Sequence, residues 1–204
     1  MAKVDYKKEL KQLYGGKVGK PVVVQVPKMN YIMISGTGDP NTSQEYSDAI
    51  QTLYPVAYAI KFISKIKYGN DFSVLPLEGI WWTEDMASFS TKDKSNWLWT
   101  AMIMQPDVVN EAIYAQAVEQ VRAKKSPKSL DKLRFESYDE GRSAQVMYSG
   151  PYSDEGPSIQ ALHQFIKQQG GVLDDNTKHH HEIYLGDPRR TAPEKLKTII
   201  RQPF

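Results

Sequence analysis

A repeat is the feature of this chain that most restricts its fold. Ile32-Met33-Ile34-Ser35-Gly36 reads as a strand ending in Ser-Gly, and Val146-Met147-Tyr148-Ser149-Gly150 reads the same way. Each is followed by a loop, a helical stretch, and a strand carrying a glutamate beside aromatic residues. That later strand is Leu77-Glu78-Gly79-Ile80-Trp81 in the first half and His181-Glu182-Ile183-Tyr184-Leu185 in the second. Strand side chains alternate between two faces, whereas helical ones return every third or fourth residue, so one unit is used twice. Such a unit buries its apolar faces by packing sheet against helix, and leaves a cleft where the halves meet. The expected fold is α+β, with two tandem, pseudo-symmetric strand-helix-strand-strand modules around a central cleft.

Local signals set the boundaries. Residues 1–19 form an N-terminal extension, and 20–204 a single domain. Module one spans about 20–105, a connecting helix about 107–123, and module two about 131–204. In module one, the β-branched run from Val22 to Val26 and the run from Tyr31 to Ile34 flank a Lys28-Met29-Asn30 turn. A helix follows to about residue 66. Asn41, Thr42 or Ser43 is its cap, Gln44 or Glu45 can complete a capping box, and Gly69 ends it. Strands from Phe72 to Thr83 and from Trp97 to Gln105 come next, joined by a polar hairpin loop from Asp85 to Asn96. Ala123 to Lys128 is the most linker-like stretch. In module two, strands from Leu133 to Tyr138 and Ser143 to Ser149 flank the turn Asp139-Glu140-Gly141-Arg142. A helix from Asp154 to Gln168 and a strand from His179 to Leu185 follow. Beyond Gly186-Asp187-Pro188 only a short C-terminal segment is expected, which makes the second half the shorter.

Composition excludes several classes of function. A net charge of +2 over 204 residues gives no basic stripe for nucleic acid. A mean hydropathy of −0.54 and the lack of a long apolar run argue against a membrane span, and the charged N-terminus against a secretory signal. A cytoplasmic protein, either a monomer or a homodimer, is the expectation. The absence of cysteine removes thiol nucleophiles and thiolate metal sites. His179-His180-His181 cannot chelate one ion from a strand, because neighbouring imidazoles point to opposite faces; no metal and no cofactor are expected. Gly36-Thr37-Gly38 lacks the spacing of a phosphate loop, and no serine sits in a nucleophile elbow. Twelve tyrosines, four tryptophans and six phenylalanines suit either an aromatic core or a pocket for a flat, apolar aromatic small molecule.

The segment Pro76-Leu77-Glu78-Gly79-Ile80-Trp81-Trp82 is distinctive. With the tandem Ser-Gly modules and Glu182-Ile183-Tyr184, it resembles the GyrI-like small-molecule-binding family. The likeness runs from about residue 20 to the C-terminus. It is nearest to a stand-alone branch without the DNA-binding domain of the multidrug-sensing regulators in that family. The resemblance implies a deep aromatic cleft with Glu182 at its floor, and no direct contact with nucleic acid. Some stand-alone members hydrolyse the strained cyclopropane of DNA-alkylating compounds and so detoxify them. The resemblance therefore points to a cyclopropanoid hydrolase; a drug-binding protein without chemistry is the alternative, and a topoisomerase inhibitor a more distant one.

Residue types then nominate a site. Glu182 shares a strand face with His180 and Tyr184; a carboxyl among aromatic rings can act as general base or as counter-charge to a cation. Glu78 holds the matching place in module one, and two carboxyls across one cleft can divide acid and base work. Tyr152, just past the Ser-Gly break, can donate to a ligand carbonyl that gains negative charge. Trp82 is favoured as a wall because it shares the face of Glu78. Trp81, Trp97, Tyr148, Tyr184, Tyr31 and Met33 complete the expected lining.

Overall fold

A computed structural model describes residues 3–84, 93–173 and 177–204. Two short helices, α1 (Tyr6–Glu9) and α2 (Lys11–Tyr14), precede the first module. That module consists of β1 (Val22–Val26), β2 (Met29–Thr37), α3 (Gln44–Tyr68), β3 (Leu77–Trp82) and β4 (Leu98–Gln105). The helix α4 (Glu111–Lys124) leads to β5 (Arg134–Tyr138), β6 (Gly141–Ser149), α5 (Gly156–Gln168), β7 (His180–Tyr184) and β8 (Lys197–Pro203). The strands form one eight-stranded antiparallel sheet in the order β1-β6-β8-β7-β3-β4-β2-β5. Its middle is pseudo-symmetric: β2-β4-β3 of module one faces β7-β8-β6 of module two across the β3–β7 pair.

The C-terminal segment supplies a further strand where only a short tail was expected, so each module has four strands. It contains β8, which lies between β6 and β7, and Thr198, Ile199 and Ile200 are fully buried. Polar Arg201 and Gln202 followed by Pro203 disguise the strand. All three are buried, and Pro203 closes the strand, where a missing N–H costs least.

The turns expected at Lys28 and Asp139 are not hairpins. Val22 opposes Gln145, Val26 opposes Gly141, Met29 opposes Tyr138, and Met33 opposes Arg134. The register never slips, so β1–β2 and β5–β6 are one long antiparallel ribbon that changes neighbours halfway. One half of the ribbon pairs with β4 and the other with β8, which curls the sheet and brings its two ends together.

Helix ends follow their local chemistry. The Ser43 hydroxyl accepts from the Tyr46 amide at 3.2 Å, and Gly69 closes α3 at φ 72°, a left-handed angle that glycine adopts without strain. Glu45 completes no capping box; its carboxylate accepts instead from the Thr37 amide and from Lys132. The helix α4 begins at Asn110, whose side chain accepts from the Ile113 amide at 3.0 Å, later than Pro106 suggests. Glu155 occupies the cap position of α5 but makes no capping bond. The main core, including Ile32, Ile34, Leu53, Ile60 and Ile103, lies between the sheet and α3. A smaller one joins Leu162 and Ile166 of α5 to Ala144, Val146 and Ile200. The expected loop at 85–96 falls largely outside the described residues.

Candidate functional site

A cleft lies above the central β3–β7 pair, with α3 as one wall. On β3 the side chains of Leu77 and Trp81 point into it, and on β7 those of Glu182 and Tyr184, because Gly79 opposes Glu182 and Leu77 opposes Tyr184. Gly79 is there for space. A Cβ at that position would sit 2.7 Å from Trp81 Nε1 and 2.8 Å from its ring carbons, so the indole folds over the bare backbone. This pose lets Trp81 Nε1 donate to the Tyr184 hydroxyl at 3.1 Å, and that hydroxyl donates to Glu182 Oε2 at 2.7 Å. Gly36 plays the same part for Trp99, whose ring occupies the space a side chain would fill. Tyr46 of α3 then packs on Trp81 and Trp99, with ring centroids 5.6 and 5.0 Å away. Trp97 leans on Trp81 at 5.4 Å, with the Lys94 ammonium 4.5 Å over its own ring. The cleft has a volume of about 1870 Å³, and Tyr54, Tyr152, Glu155 and Asp187 also line it.

The polar end of this cleft is a pair of carboxyls. Glu182 is 9% exposed and Glu155 3%. Burial alone would raise the pKa of Glu182, but the bonds from His180 and Tyr184 outweigh it and hold this carboxyl below its ordinary range. His180 Nε2 lies 2.9 Å from Glu182 Oε1, a contact that satisfies a carboxylate when the proton is on that nitrogen. Glu155 is pushed the other way, by burial and then by the neighbouring charge of Glu182. One carboxyl is thus ionised and the other neutral at pH 7, the split that acid and base roles need. Tyr152 stands edge-on to Tyr184 at 5.5 Å. Burial and the two glutamates push its phenol up to about 12, so it stays a hydrogen-bond donor.

The opposite face of β3 and β7 carries a second, sealed network. Glu78 and His181 are fully buried. Tyr14 donates to Glu78 Oε1 at 2.7 Å, and His181 Nε2 lies 3.0 Å from Glu78 Oε2. His181 Nδ1 lies 2.9 Å from Glu140 Oε1, and Arg201 reaches Glu140 Oε2 at 3.0 Å. Arg201 also donates to Gln145 Oε1 and to the Leu13 carbonyl at 2.9 and 2.7 Å. Burial would lower the pKa of His181, but Glu140 and Glu78 outweigh it and raise it to about 9. Burial would likewise raise that of Glu140, yet His181 and Arg201 hold it down to about 2. The N-terminal extension therefore closes this network rather than trailing from the domain.

The structure sorts the expected site residues by face. Glu182, Tyr152, Trp81, Trp97 and Tyr184 come together in the cleft. Glu78 does not: it is tied to Tyr14 and His181 on the other side of the sheet. Trp82 follows Glu78 to that side and stacks on His179 at 4.8 Å. Tyr31 and Met33 are buried on the same far side, where Met33 pairs with Met102, which in turn opposes Glu78. Tyr148 spends its hydroxyl on the Pro151 carbonyl at 2.9 Å, outside the cleft lining. The three neighbouring histidines serve three different partners, and no group among the described residues could hold a metal ion. Glu155, Tyr46, Tyr54, Lys94, Leu77 and Asp187 are among the cleft residues that sequence reasoning missed. Only the position of Glu155 at a helix start marked it, and there a capping role is the ordinary reading.

The profile of the GyrI-like small molecule binding domain matches residues 19–204. A hydrolase from Listeria innocua is 41% identical and superposes with a TM-score of 0.87, covering 99% of each chain. A second Listeria innocua hydrolase is 38% identical, with a TM-score of 0.82 over 98% of this chain and 99% of its own. An uncharacterized conserved protein of the same organism is 40% identical, with a TM-score of 0.88 over the same shares. No curated protein matches the chain.

Proposed function

The chain belongs to the GyrI-like small-molecule-binding family, and from that premise we propose that its cleft hydrolyses strained cyclopropanes in flat, apolar, DNA-alkylating compounds. Detoxification is the consequence. The observation that carries the proposal is Glu182, an ionised carboxylate at the floor of an aromatic cleft, set against the neutral Glu155. The similar hydrolases from Listeria innocua support the reaction class.

The chemistry needs little beyond these groups. The substrate ring packs against the aromatic wall of Trp81, Trp97 and Tyr46, which excludes bulk water and fixes the reacting carbon. Glu182 accepts a proton from a water whose oxygen bonds to the cyclopropane methylene. The ring C–C bond breaks, and its electron pair passes through the conjugated ring to a carbonyl oxygen. That oxygen takes a proton from Tyr152, which recovers one by way of solvent from Glu182. The sum is addition of one water, with no redox change. The neutral Glu155 keeps the pair at one negative charge, so that Glu182 rather than Glu155 is the base.

Mass spectrometry after incubation with a cyclopropane-bearing alkylator tests this. The wild type should yield a product heavier by one water, and Glu182→Gln should bind the compound but leave it unchanged. Turnover that survives Glu182→Gln removes that residue from the mechanism, and unaltered bound compound with the wild type favours sequestration without chemistry.

A further inference from the structure

The cleft does not end at its rim. A second groove, of about 350 Å³, lies between α3 and α4 and is lined by Tyr54, Pro55, Tyr58, Ala59, Phe62, Val121 and three polar residues of α4. Tyr54, Pro55, Tyr58 and Lys125 border both spaces, so the groove continues the cleft. Tyr54, Tyr58 and Phe62 fall at four-residue intervals along α3, an aromatic stripe leading out of the cleft. The last two are each 49% exposed, an unusual cost for aromatic rings on a helix face, and the Lys61 ammonium lies 4.5 Å over the Phe62 ring. Lys124 and Lys125 supply cations on the α4 side of the groove, Lys125 at its junction with the cleft. Neither has a carboxylate partner among the described ion pairs, whereas Lys128 nearby is matched by Asp48.

We propose that this groove is a second subsite for the same ligand, which is elongated, with an aromatic head in the cleft, a further flat ring over Tyr58 and Phe62, and an anionic group beside Lys124 and Lys125. The proposal rests on the cleft being a ligand site. Continuity names the occupant: a molecule seated over Glu182 that extends past Tyr54 and Tyr58 enters the groove beside Lys125. Phe62 lies one helical turn, about 6 Å, beyond Tyr58 at the shared border. The acidic pair Glu182 and Glu155 belongs to the cleft alone, whereas Lys124 belongs to the groove alone.

Two dyes separate this proposal from the cleft assignment. Anilinonaphthalene sulfonate has one ring unit and its dimer, bis-ANS, has two; quenching of tryptophan fluorescence reports occupation of the cleft. Bis-ANS should bind the wild type at least about tenfold more tightly than the single unit. Phe62→Ala and Lys124→Glu, both outside the cleft and exposed, should each remove most of that advantage and leave the single unit's affinity unchanged. Equal affinity of the two dyes, or an advantage that survives both substitutions, overturns the subsite. Failure of the single unit to quench the tryptophans would count against the cleft itself, and so is a different result.

Discussion

Tyr14→Phe removes one oxygen atom from a site 0% exposed around Glu78, and its cost follows from the geometry. The hydroxyl donates to Glu78 Oε1 at 2.7 Å in a region closed to water. A hydrogen bond to a charged group contributes about 1.5–3 kcal/mol, and an orphaned buried acceptor keeps its desolvation penalty. The phenyl ring still fills its space, so no cavity term is added. The expected loss is about 2 kcal/mol, or about 4–8 °C in Tm for a chain of this length. Urea unfolding at pH 7 should show a lower midpoint with an unchanged slope, because the surface exposed on unfolding hardly differs. The result bears on domain limits, since Tyr14 precedes the matched residues 19–204. A loss under about 0.5 kcal/mol would refute the view that the extension completes the domain, because surface changes of that size are commonplace.

The same network sets a pH dependence. The folded pKa of His181 is raised from 6.5 to about 9, so its stabilisation is complete below 6.5 and lost as pH rises through about 9. Glu140 is lowered from 4.5 to about 2, so its share is complete above 4.5 and lost as pH falls through about 2. Glu155, also protonated on folding, steepens the alkaline limb. The urea midpoint should therefore fall between pH 6.5 and 9; a flat midpoint over that range contradicts an imidazolium at His181. Gly79→Ala sets a methyl 2.7 Å from Trp81 Nε1 and must displace the indole. Overpacking of this kind costs about 1–3 kcal/mol. Because the indole supports Tyr184 and thereby Glu182, affinity for a flat aromatic dye should fall at least about tenfold in a fluorescence titration, and unchanged affinity would separate the glycine from the site.

The repeat was legible because both halves carry the same local signals, a strand with Ser-Gly near its end and a helix with a glycine or proline at one end, although β2 runs through its Ser35-Gly36 to Thr37. The pairing of strands was not. Two runs separated by Pro27-Lys28 look like a hairpin by spacing alone, and only contacts across the whole chain reveal that they pass straight on into different halves. For the site, alternation correctly put Glu182 with His180 and Tyr184, and Glu78 with Trp82. It could not say which face of β3 meets the cleft, because both faces are buried and both carry a tryptophan. The deciding residue was Gly79, whose missing side chain makes room for Trp81 on the cleft side. Glu155 was illegible for a different reason: a carboxyl before a helix normally caps it, and only the fold shows this one turned toward Glu182.

The unslipped ribbon has a consequence for how the chain is made. Its pairs join residues as remote as Val22 and Gln145, and each strand of the ribbon serves both modules. A ribosome that has finished module one has produced β2 without β5, and β1 without any neighbour at all. The halves look like ancestral copies, yet neither is an independent folding unit now. High contact order of this kind slows folding and delays cooperative closure until the last strand, β8, has left the exit tunnel. The two similar modules thus close together, and β1 must wait for β6 before it has any partner.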